Sequence, residues 1–151
     1  MTNNTSSIKH YDTVATMRSD STLSFGNFVK THGYHHITDG GGNLYTITNK
    51  NEFASIKLDN GLYAEPKVSG QRVNVRAFGA KGTGYGKPRV NDTEAFNLAF
   101  NYASKNKLSI YVPNGQYYIT PILINEVDSM TVEGDGQFLS QIGVHEDVKV
   151  L

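Results

Sequence analysis

Three segments decide the fold of this chain, and they are residues 73–84 (VNVRAFGAKGTG), 91–96 (NDTEAF) and 111–117 (YVPNGQY). Apolar residues alternate over 73–78, which predicts a strand. Glycines crowd the next stretch, 79–86, and predict a loop in which Gly79 and Gly82 have a structural role. The chain therefore contains a strand, a glycine loop and a helix in that order, and the other elements are predicted relative to them.

The helix that follows this loop is the clearest in the chain and is predicted over 92–105. Asn91 or Asp92 supplies its N-cap, and Glu94 lies three residues after Asn91, as in a capping box. Apolar side chains recur at helical spacing over a wide arc, and they are Ala95, Leu98, Ala99, Tyr102 and Ala103, with Phe96 and Phe100 beside them. So wide an arc predicts burial against a large surface, with Phe96 in the contact.

The apolar pattern changes to a period of two after Leu108, which predicts short strands. Residues 109–117 align with residues 129–138 at an offset of 20 that becomes 21 after one inserted residue. Each copy has a strand, a glycine turn and an aromatic residue, and Pro113 and Gly115 belong to the first turn. A repeat of this length is typical of a solenoid, in which each turn of the chain buries its face by stacking on the next.

The N-terminal part of the chain is predicted to form a separate, smaller α+β module. Residues 1–10 are polar and without period and predict a mobile arm, whereas the module itself spans 11–66. A polar linker that contains Pro and Gly spans 67–72. Asp12 is predicted to cap a short helix over 13–19.

Strands and turns fill the rest of this module. Strands are predicted over 28–31 and 44–48. A hairpin turns at Asn60 and Gly61, because apolar alternation around Asn-Gly is the strongest short-range hairpin signal. A further loop needs backbone angles that other residues avoid, and its glycines are Gly40, Gly41 and Gly42.

The composition excludes several classes of protein. The chain has 151 residues, with 14 Lys and Arg against 14 Asp and Glu and no block of like charge, so we expect neither nucleic acid nor an anionic membrane as a partner. It has no Cys, and therefore no disulfide, thiol nucleophile or cysteine metal site. We expect no signal peptide or membrane span. The glycine loop matches neither the Walker A nor the dinucleotide-binding pattern, so no cofactor is expected.

A histidine cluster is the candidate for metal binding. His32, His35, His36 and Asp39 offer imidazole nitrogens and a carboxylate to a metal ion. However, His35 and His36 are neighbours that a strand would point to opposite faces. Surface histidines in a turn are therefore the preferred interpretation, and no metal ligand is predicted.

Two further sets of side chains invite a catalytic or sugar-binding interpretation. Glu133 and Asp135 could form a carboxylate pair for glycoside cleavage, but Gly134 and Gly136 favour a turn instead. Three tyrosines could stack on sugar rings, namely Tyr111, Tyr117 and Tyr118. Tyrosines in strands, however, more often pack against their neighbours. We therefore predict no catalytic residue in this segment.

The three segments quoted first resemble the beginning of a pectate-lyase-like right-handed parallel β-helix. In that family a strand and loop of the form V-x-D-F-G-A-x-G-D-G leads to D-D-T-x-A-[IF], a helix that caps the solenoid, and then to V-x-[VF]-P-x-G-x-Y. The order and spacing match over residues 73–119, with Ala77, Thr83 and Asn91 in place of the usual Asp. The resemblance implies a mainly β chain in which residues 73–151 are the helix-capped start of such a solenoid.

Segments 11–17, 28–34 and 39–45 resemble a small module found ahead of such β-helices in phage tailspikes and short-tailed-phage appendage proteins. The resemblance implies a virion tail appendage, with residues 1–66 anchoring the spike to a collar or tail protein. The complete spike would be a homotrimer that binds, and in an enzymatic spike cleaves, a host cell-surface glycan. The alternative is a pectate-lyase-like glycan lyase or hydrolase whose first module binds carbohydrate.

We also expect the chain to be part of a longer protein. Residues 108–151 supply about two solenoid turns, fewer than the roughly three that stability needs, and the terminal EDVKVL is not a polar cap. The glycan-binding part would then lie C-terminal to this segment.

Overall fold

The computed structural model describes residues 7–84, 89–125 and 127–144, and the chain divides into two compact units between Ser69 and Gly70. Parts of the predicted arm, glycine loop and second module, at 1–6, 85–86 and 145–151, lie outside the described residues. The predicted mainly β class is confirmed, since ten short strands are described beside two α-helices and a 3₁₀ helix.

The first unit is a five-stranded sheet with one short helix. Its elements are β1 (Lys9–Tyr11), α1 (Val14–Arg18), β2 (Phe28–Thr31), β3 (Leu44–Thr48), β4 (Ile56–Lys57) and β5 (Tyr63–Lys67). The strand order is β1-β2-β3-β5-β4, in which β1 and β2 are parallel and the other neighbours are antiparallel. Side chains from the sheet, one face of α1 and two connecting segments form its core, which contains Val14, Met17, Leu23, Val29, Tyr45, Ile47, Leu58 and Ala64.

The first unit begins earlier than the sequence predicted, since β1 starts at Lys9 within the predicted arm. The Lys9 ammonium donates to the Asp20 carboxylate and, at 2.8 Å, to the Thr22 hydroxyl. The Tyr11 hydroxyl donates to the same carboxylate at 2.8 Å. The Lys9 ammonium, followed by the Thr22 and Tyr11 bonds, holds the pKa of Asp20 well below its usual range. These side chains tie β1 to the loop after α1.

The predicted cap of α1 is wrong, because Thr13 rather than Asp12 is the N-cap. The Thr13 hydroxyl accepts from the Thr16 N–H at 3.3 Å, and the Thr16 hydroxyl accepts from the Thr13 N–H at 3.1 Å. Two otherwise unpaired backbone donors are thereby satisfied reciprocally, which an Asp12 cap would not achieve. Asp12 instead uses its carbonyl oxygen, which accepts from the Gly33 N–H at 3.0 Å.

The predicted Asn-Gly hairpin is confirmed and connects β4 to β5. The Gly61 N–H donates to the Leu58 carbonyl at 3.1 Å, and the Leu58 N–H donates to the Leu62 carbonyl at 2.8 Å. Gly61 has a φ of 87°, which makes this a type I turn followed by a glycine bulge. The Asn60 amide donates to the Leu23 carbonyl at 2.9 Å and so ties the turn to the rest of the unit.

The second unit consists of parallel strands and one long helix. Its elements are β6 (Arg72–Asn74), a 3₁₀ helix (Val75–Phe78), α2 (Thr93–Asn106), β7 (Ser109–Val112), β8 (Gly115–Ile119), β9 (Val132–Gly134) and β10 (Ser140–Val144). One parallel sheet has the order β6-β7-β9, and β8 with β10 forms another. Thr83 and Asn91 add isolated parallel bridges to β8. Successive chain passes therefore stack in parallel, although the described sheets are not closed into a solenoid.

The predicted strand over 73–78 ends at Asn74 and gives way to the 3₁₀ helix. The Asn74 side-chain oxygen accepts from the Arg76 N–H at 2.9 Å, a local bond that competes with strand pairing. Gly79, at a φ of 104°, ends the turn and donates to the Arg76 carbonyl at 3.1 Å. The tighter turn buries more of the apolar run than a one-sided strand would, namely Val75, Ala77 and Phe78.

The predicted repeat exists as stacked strands, but its register differs from the sequence alignment. Ile110 pairs with Val132, whereas the alignment placed it beside Met130. The offset then grows from 22 residues at Ile110 to 25 at Gly115, because two residues separate β7 from β8 and five separate β9 from β10. A shift of two residues leaves each side chain on the same face of its strand, so the apolar pattern alone could not detect it.

Helix α2 lies within one residue of its predicted bounds and packs against β6, β7, β8 and the 3₁₀ helix. The sequence placed Phe96 and Phe100 beside the main apolar arc of α2. In the structure they lie at the centre of the buried face, whereas Leu98 and Tyr102 are only half-buried. The Phe96 ring lies 5.4 Å from the Tyr117 ring and is fully buried. Within the described parts of the chain, neither α-helix is long and apolar enough to cross a membrane.

The start of α2 divides the capping role between two residues. The Asn91 side-chain oxygen accepts from the Thr93 N–H at 3.0 Å, whereas Asp92 occupies the N-cap position without a side-chain bond to the helix. Because Thr93 is the first helical residue, Glu94 is the second, one short of the capping-box position. The predicted box is therefore wrong, although Asn91 contributes the predicted polar contact.

The Asp92 carboxylate holds the glycine loop instead of the helix. It is 3% exposed and accepts from the Lys81 N–H at 2.8 Å and from the Gly82 N–H at 3.1 Å. The Asp92 N–H donates to the Tyr118 carbonyl on β8 at 2.9 Å. One residue thereby connects the loop, the helix and the second sheet.

We expect Phe96→Asp to destabilise the second unit by about 4 kcal/mol or more, because it removes a buried ring and leaves an unpaired buried charge. Urea unfolding followed by circular dichroism measures the effect. The control is Asn97→Asp, which places a carboxylate on the half-buried neighbouring position of α2. Equal unfolding midpoints for Phe96→Asp and the control would contradict the buried packing of α2.

We expect Asp92→Ala to cost about 2–4 kcal/mol, because the buried Gly82 N–H and the part-buried Lys81 N–H lose their acceptor. Asp92→Asn should cost less, since one side-chain oxygen is retained. Asp128→Ala, at an exposed position of the same unit, should change stability by less than about 0.5 kcal/mol. Urea unfolding of the three variants checks this order, and an Asp92→Ala variant as stable as Asp128→Ala would contradict it.

Candidate functional site

A row of polar and aromatic side chains crosses the exposed face of the β6-β7-β9 sheet. We call it the outer row, and it consists of Arg72, Tyr111, Glu133 and Asp135. The Arg72 guanidinium lies 4.9 Å from the Tyr111 ring centroid and 3.0 Å from the Glu133 carboxylate. The Tyr111 hydroxyl donates to Asp135 at 2.6 Å. Parallel register places these groups side by side, since Tyr111 pairs directly with Glu133.

The electrostatics of the outer row oppose a role for Asp135 as a proton donor. The Tyr111 hydroxyl, with the Asn114 N–H at 2.7 Å, lowers the pKa of Asp135 and keeps this carboxylate ionised. The same hydrogen bond raises the pKa of Tyr111. Glycoside cleavage needs one protonated carboxyl group beside one ionised group. Asp135 does not fit the acid role, and Glu133 is paired with Arg72.

The structure also corrects the predicted position of the two carboxylates. Glu133 lies on β9, and only Asp135 belongs to the turn that follows. The Asp135 N–H donates to the Ser140 hydroxyl at 2.8 Å, and its carboxylate accepts from the Asn114 N–H. The outer row therefore joins neighbouring strands and can offer hydrogen bonds to a polar ligand.

Tyr117 is a core residue, as the preferred interpretation of the strand tyrosines predicted. It is fully buried, and its hydroxyl accepts from the Arg76 guanidinium at 2.9 Å and donates to the Pro113 carbonyl at 3.1 Å. Burial raises the pKa of Tyr117, although the Arg76 charge opposes the shift. A Cβ on Gly82 would lie 2.6 Å from this ring, and one on Gly115 would lie 2.9 Å from the Gly82 carbonyl oxygen. These two predicted glycines are therefore required by close packing.

The Tyr118 ring, like that of Tyr117, packs directly against glycines. A Cβ on Gly84 would lie 2.2 Å from the Tyr118 ring, and one on Gly143 would lie 2.9 Å from it. The Arg89 guanidinium lies 4.3 Å from the ring centroid. Both tyrosines of β8 are thus held by the protein itself, and Tyr111 is the one whose ring lies in the outer row.

Backbone hydrogen bonds to Asp39 hold the loop that contains His35 and His36, whereas the His32 ring contacts His10 instead. The Asp39 carboxylate accepts from the backbone N–H groups of four residues, at 2.6–3.0 Å, and these are Tyr34, His35, His36 and Gly41. Burial alone would raise the pKa of Asp39, but the four donors outweigh it and lower the pKa. Asp39 therefore shapes the loop, in which Gly40 has a φ of 75° and a Cβ on Gly42 would lie 2.7 Å from the Thr31 carbonyl oxygen.

The contact between His32 and His10 was missed in the sequence. The His10 Nδ1 lies 3.2 Å from the His32 Nε2, and the two exposed rings stack with their centroids 5.2 Å apart. The contact depends on the parallel pairing of β1 with β2. No local signal in the sequence indicates that pairing, because 21 residues separate the two histidines.

Solved structures are similar to the chain over most of its length. Tailspike protein gp49 of Acinetobacter baumannii bacteriophage Fri1, described as a capsular polysaccharide depolymerase, matches with a TM-score of 0.69 and 15% identity over 85% of this chain and 23% of that one. The enzymatically active domain of tailspike protein 2 of bacteriophage CBA120 matches with a TM-score of 0.60 and 20% identity over 89% and 19% of the two chains.

A bacterial protein has a similar structure. WceF of Pantoea stewartii, described as a glycan biofilm modifying enzyme with a bacteriophage tailspike-like parallel β-helix fold, matches with a TM-score of 0.58 and 17% identity over 86% of this chain and 22% of that one. At these identities the likeness shows the fold alone. This chain spans less than a quarter of the length of each of the three proteins.

The amino-acid sequence supports the same relationship. No curated protein matches the sequence. Residues 72–148, from the first strand of the second unit onward, match the family described as rhamnogalacturonase A/epimerase, pectate lyase-like. This match covers half of the chain and contains the parallel strands, the glycine loop and α2. The chain therefore belongs to the rhamnogalacturonase A/epimerase, pectate lyase-like family.

Proposed function

We propose that this chain is the N-terminal part of a phage tailspike or tail appendage, in which the first unit attaches a β-helix spike to the virion. The second unit would be the helix-capped start of a right-handed parallel β-helix. In the complete protein, the continuing β-helix would form a homotrimer that binds a host cell-surface glycan during adsorption. The docking partner of the first unit would be a collar or tail protein.

The extent of the tailspike likeness is the observation that carries this proposal. The match to gp49 covers 85% of the chain, which is more than the second unit alone, so it extends into the first unit. A β-helix by itself serves many functions. A small module followed by a β-helix, in the same order as in a tailspike, is a narrower resemblance.

Exposed apolar side chains support the continuation of the β-helix. Six large apolar residues between 123 and 142 are at least 44% exposed, and they are Leu123, Val127, Val132, Phe138, Leu139 and Ile142. In a solenoid, each turn of the chain covers the face of the turn before it. Further turns, together with neighbouring copies in a trimer, would cover this surface.

Deletion of residues 1–66 tests the attachment. We expect particles assembled with the truncated full-length spike to lose the spike, because the first unit provides the docking surface. Quantitative immunoblotting of purified particles measures the loss against intact spike. The freed, truncated spike should still bind glycan as a trimer, which controls for misfolding. Normal incorporation of the truncated spike would contradict the attachment role.

A second candidate is a glycan-modifying enzyme that acts without a virion. The observation in its favour is the match to WceF, which covers 86% of this chain and also extends into the first unit. The match to the enzymatically active domain of the CBA120 tailspike, which is a phage protein, covers 89% and also extends into the first unit, so it supports only the place of the first unit in an enzyme body. In this candidate, the first unit would be part of the enzyme body or a carbohydrate-binding module.

Turnover by the chain itself tests whether this segment carries an active site, as the second candidate in its strongest form requires. We expect residues 1–151 to release no reducing ends from capsular polysaccharides, because both carboxylates of the outer row are bonded within it, Glu133 to Arg72 and Asp135 to Tyr111. The Glu133→Gln and Asp135→Asn variants should be equally inactive. Release of reducing ends that either substitution abolishes would favour the enzyme.

A further inference from the structure

The His10 and His32 rings meet at one edge of the first sheet, and the backbone holds both of them there. β1 and β2 are parallel with Tyr11 opposite Thr31. The His32 N–H donates to the Tyr11 carbonyl at 2.9 Å, so the pairing continues one residue beyond β2. Each ring therefore projects from a hydrogen-bonded strand or its direct extension rather than from a free loop.

The distance between the two ring nitrogens suits a shared metal ion. Zn²⁺ binds imidazole nitrogen at about 2.0–2.1 Å with tetrahedral angles, which places two such nitrogens about 3.3–3.4 Å apart. The His10 Nδ1 and the His32 Nε2 lie 3.2 Å apart. This contact is a hydrogen bond in which one ring nitrogen donates to the other, so a metal ion would replace the shared proton, and the two exposed rings would rotate until both lone pairs faced the ion. Imidazole is a ligand that Zn²⁺, Cu²⁺ and Ni²⁺ prefer, whereas Mg²⁺ prefers oxygen.

We propose that His10 and His32 bind one divalent transition-metal ion of the Zn²⁺ type and thereby clamp β1 onto β2. Within the described residues, no group of three or more His, Cys, Asp or Glu side chains is placed to hold a metal ion. Water therefore completes the coordination, and the site is open on its solvent side. Asp39, which shapes the nearby loop, is committed to backbone donors and is not a ligand.

The charge beside the site opposes the ion and provides a test. Lys30 lies opposite His10 in the strand register. Both Lys30 and His32, two residues further along the chain, are exposed. Residues two apart on a strand share a face, so the ammonium of Lys30 lies on the same side of the sheet as the two rings. Removal of this positive charge by Lys30→Gln should tighten binding a few-fold.

Metal binding at this place has a structural consequence. The two ligands come from different strands, so the ion binds tightly only when β1 and β2 are paired. A ligand that binds only the paired state at 100 times its dissociation constant raises the ratio of that state to the unpaired state about a hundredfold. The clamp would thus secure the N-terminal strand of the first unit, where Lys9 and Tyr11 already bind Asp20.

Calorimetric titration of residues 1–151 with ZnCl₂ tests the site. We expect saturable binding that His10→Asn and His32→Asn each abolish, that Lys30→Gln tightens, and that MgCl₂ does not reproduce. The matched control is His36→Asn, which removes another exposed histidine of the same unit and should bind as the unsubstituted chain does. Circular dichroism checks that the variants remain folded.

Proton NMR of the histidine rings gives a second measurement that does not depend on substitution. The ring signals of His10 and His32 should shift together on addition of ZnCl₂, while those of His36 stay unchanged. No saturable binding of Zn²⁺, or binding that His10→Asn and His32→Asn leave intact, overturns the proposal. Binding that His36→Asn abolishes overturns it as well.

Discussion

The buried carboxylate of Asp92 is the constraint on which the second unit depends. Its two oxygens satisfy the Lys81 and Gly82 N–H groups, and its own backbone N–H and carbonyl bond Tyr118 and Phe96. A carboxylate that is 3% exposed is tolerated only when its oxygens are hydrogen-bonded. Displacement of the loop, the helix start or β8 therefore leaves a charge or a backbone group unpaired. The backbone N–H groups of Lys81 and Gly82, which could otherwise bind an external anion, are thus satisfied by the Asp92 carboxylate.

The glycine content of this unit follows from the same close packing. With Asp92 holding Gly82 in place, the Tyr117 ring comes so near that any Cβ at Gly82 would overlap it. Gly84 and Gly143 leave the equivalent space for Tyr118. These glycines admit aromatic rings between successive passes of the chain. In the described part of the glycine loop, Gly82 and Gly84 therefore serve close packing.

The sequence predicted those elements whose structure depends on residues close together in the chain. The Asn-Gly hairpin, α2 and the mainly β class could be predicted, because turn preference and apolar period act within a few residues. The 3₁₀ helix could not, since the Asn74 side chain decides between two structures that bury the same apolar run. The register of β7 with β9 and the contact of His10 with His32 depend on pairings between distant segments. The internal repeat indicated that β7 and β9 stack, but not their register, and no local pattern indicated the contact between the two histidines.

The outer row explains why membership of this family does not by itself assign an activity. A β-helix is held by backbone pairing and inward packing, so its outward side chains are free to serve different chemistry. Here those side chains bond one another. Arg72 neutralises Glu133, and Tyr111 stabilises the ionised form of Asp135. A carboxyl group whose charge is stabilised in this way is a poor proton donor. The outer row therefore does not identify a catalytic acid, and the family match alone assigns none to it.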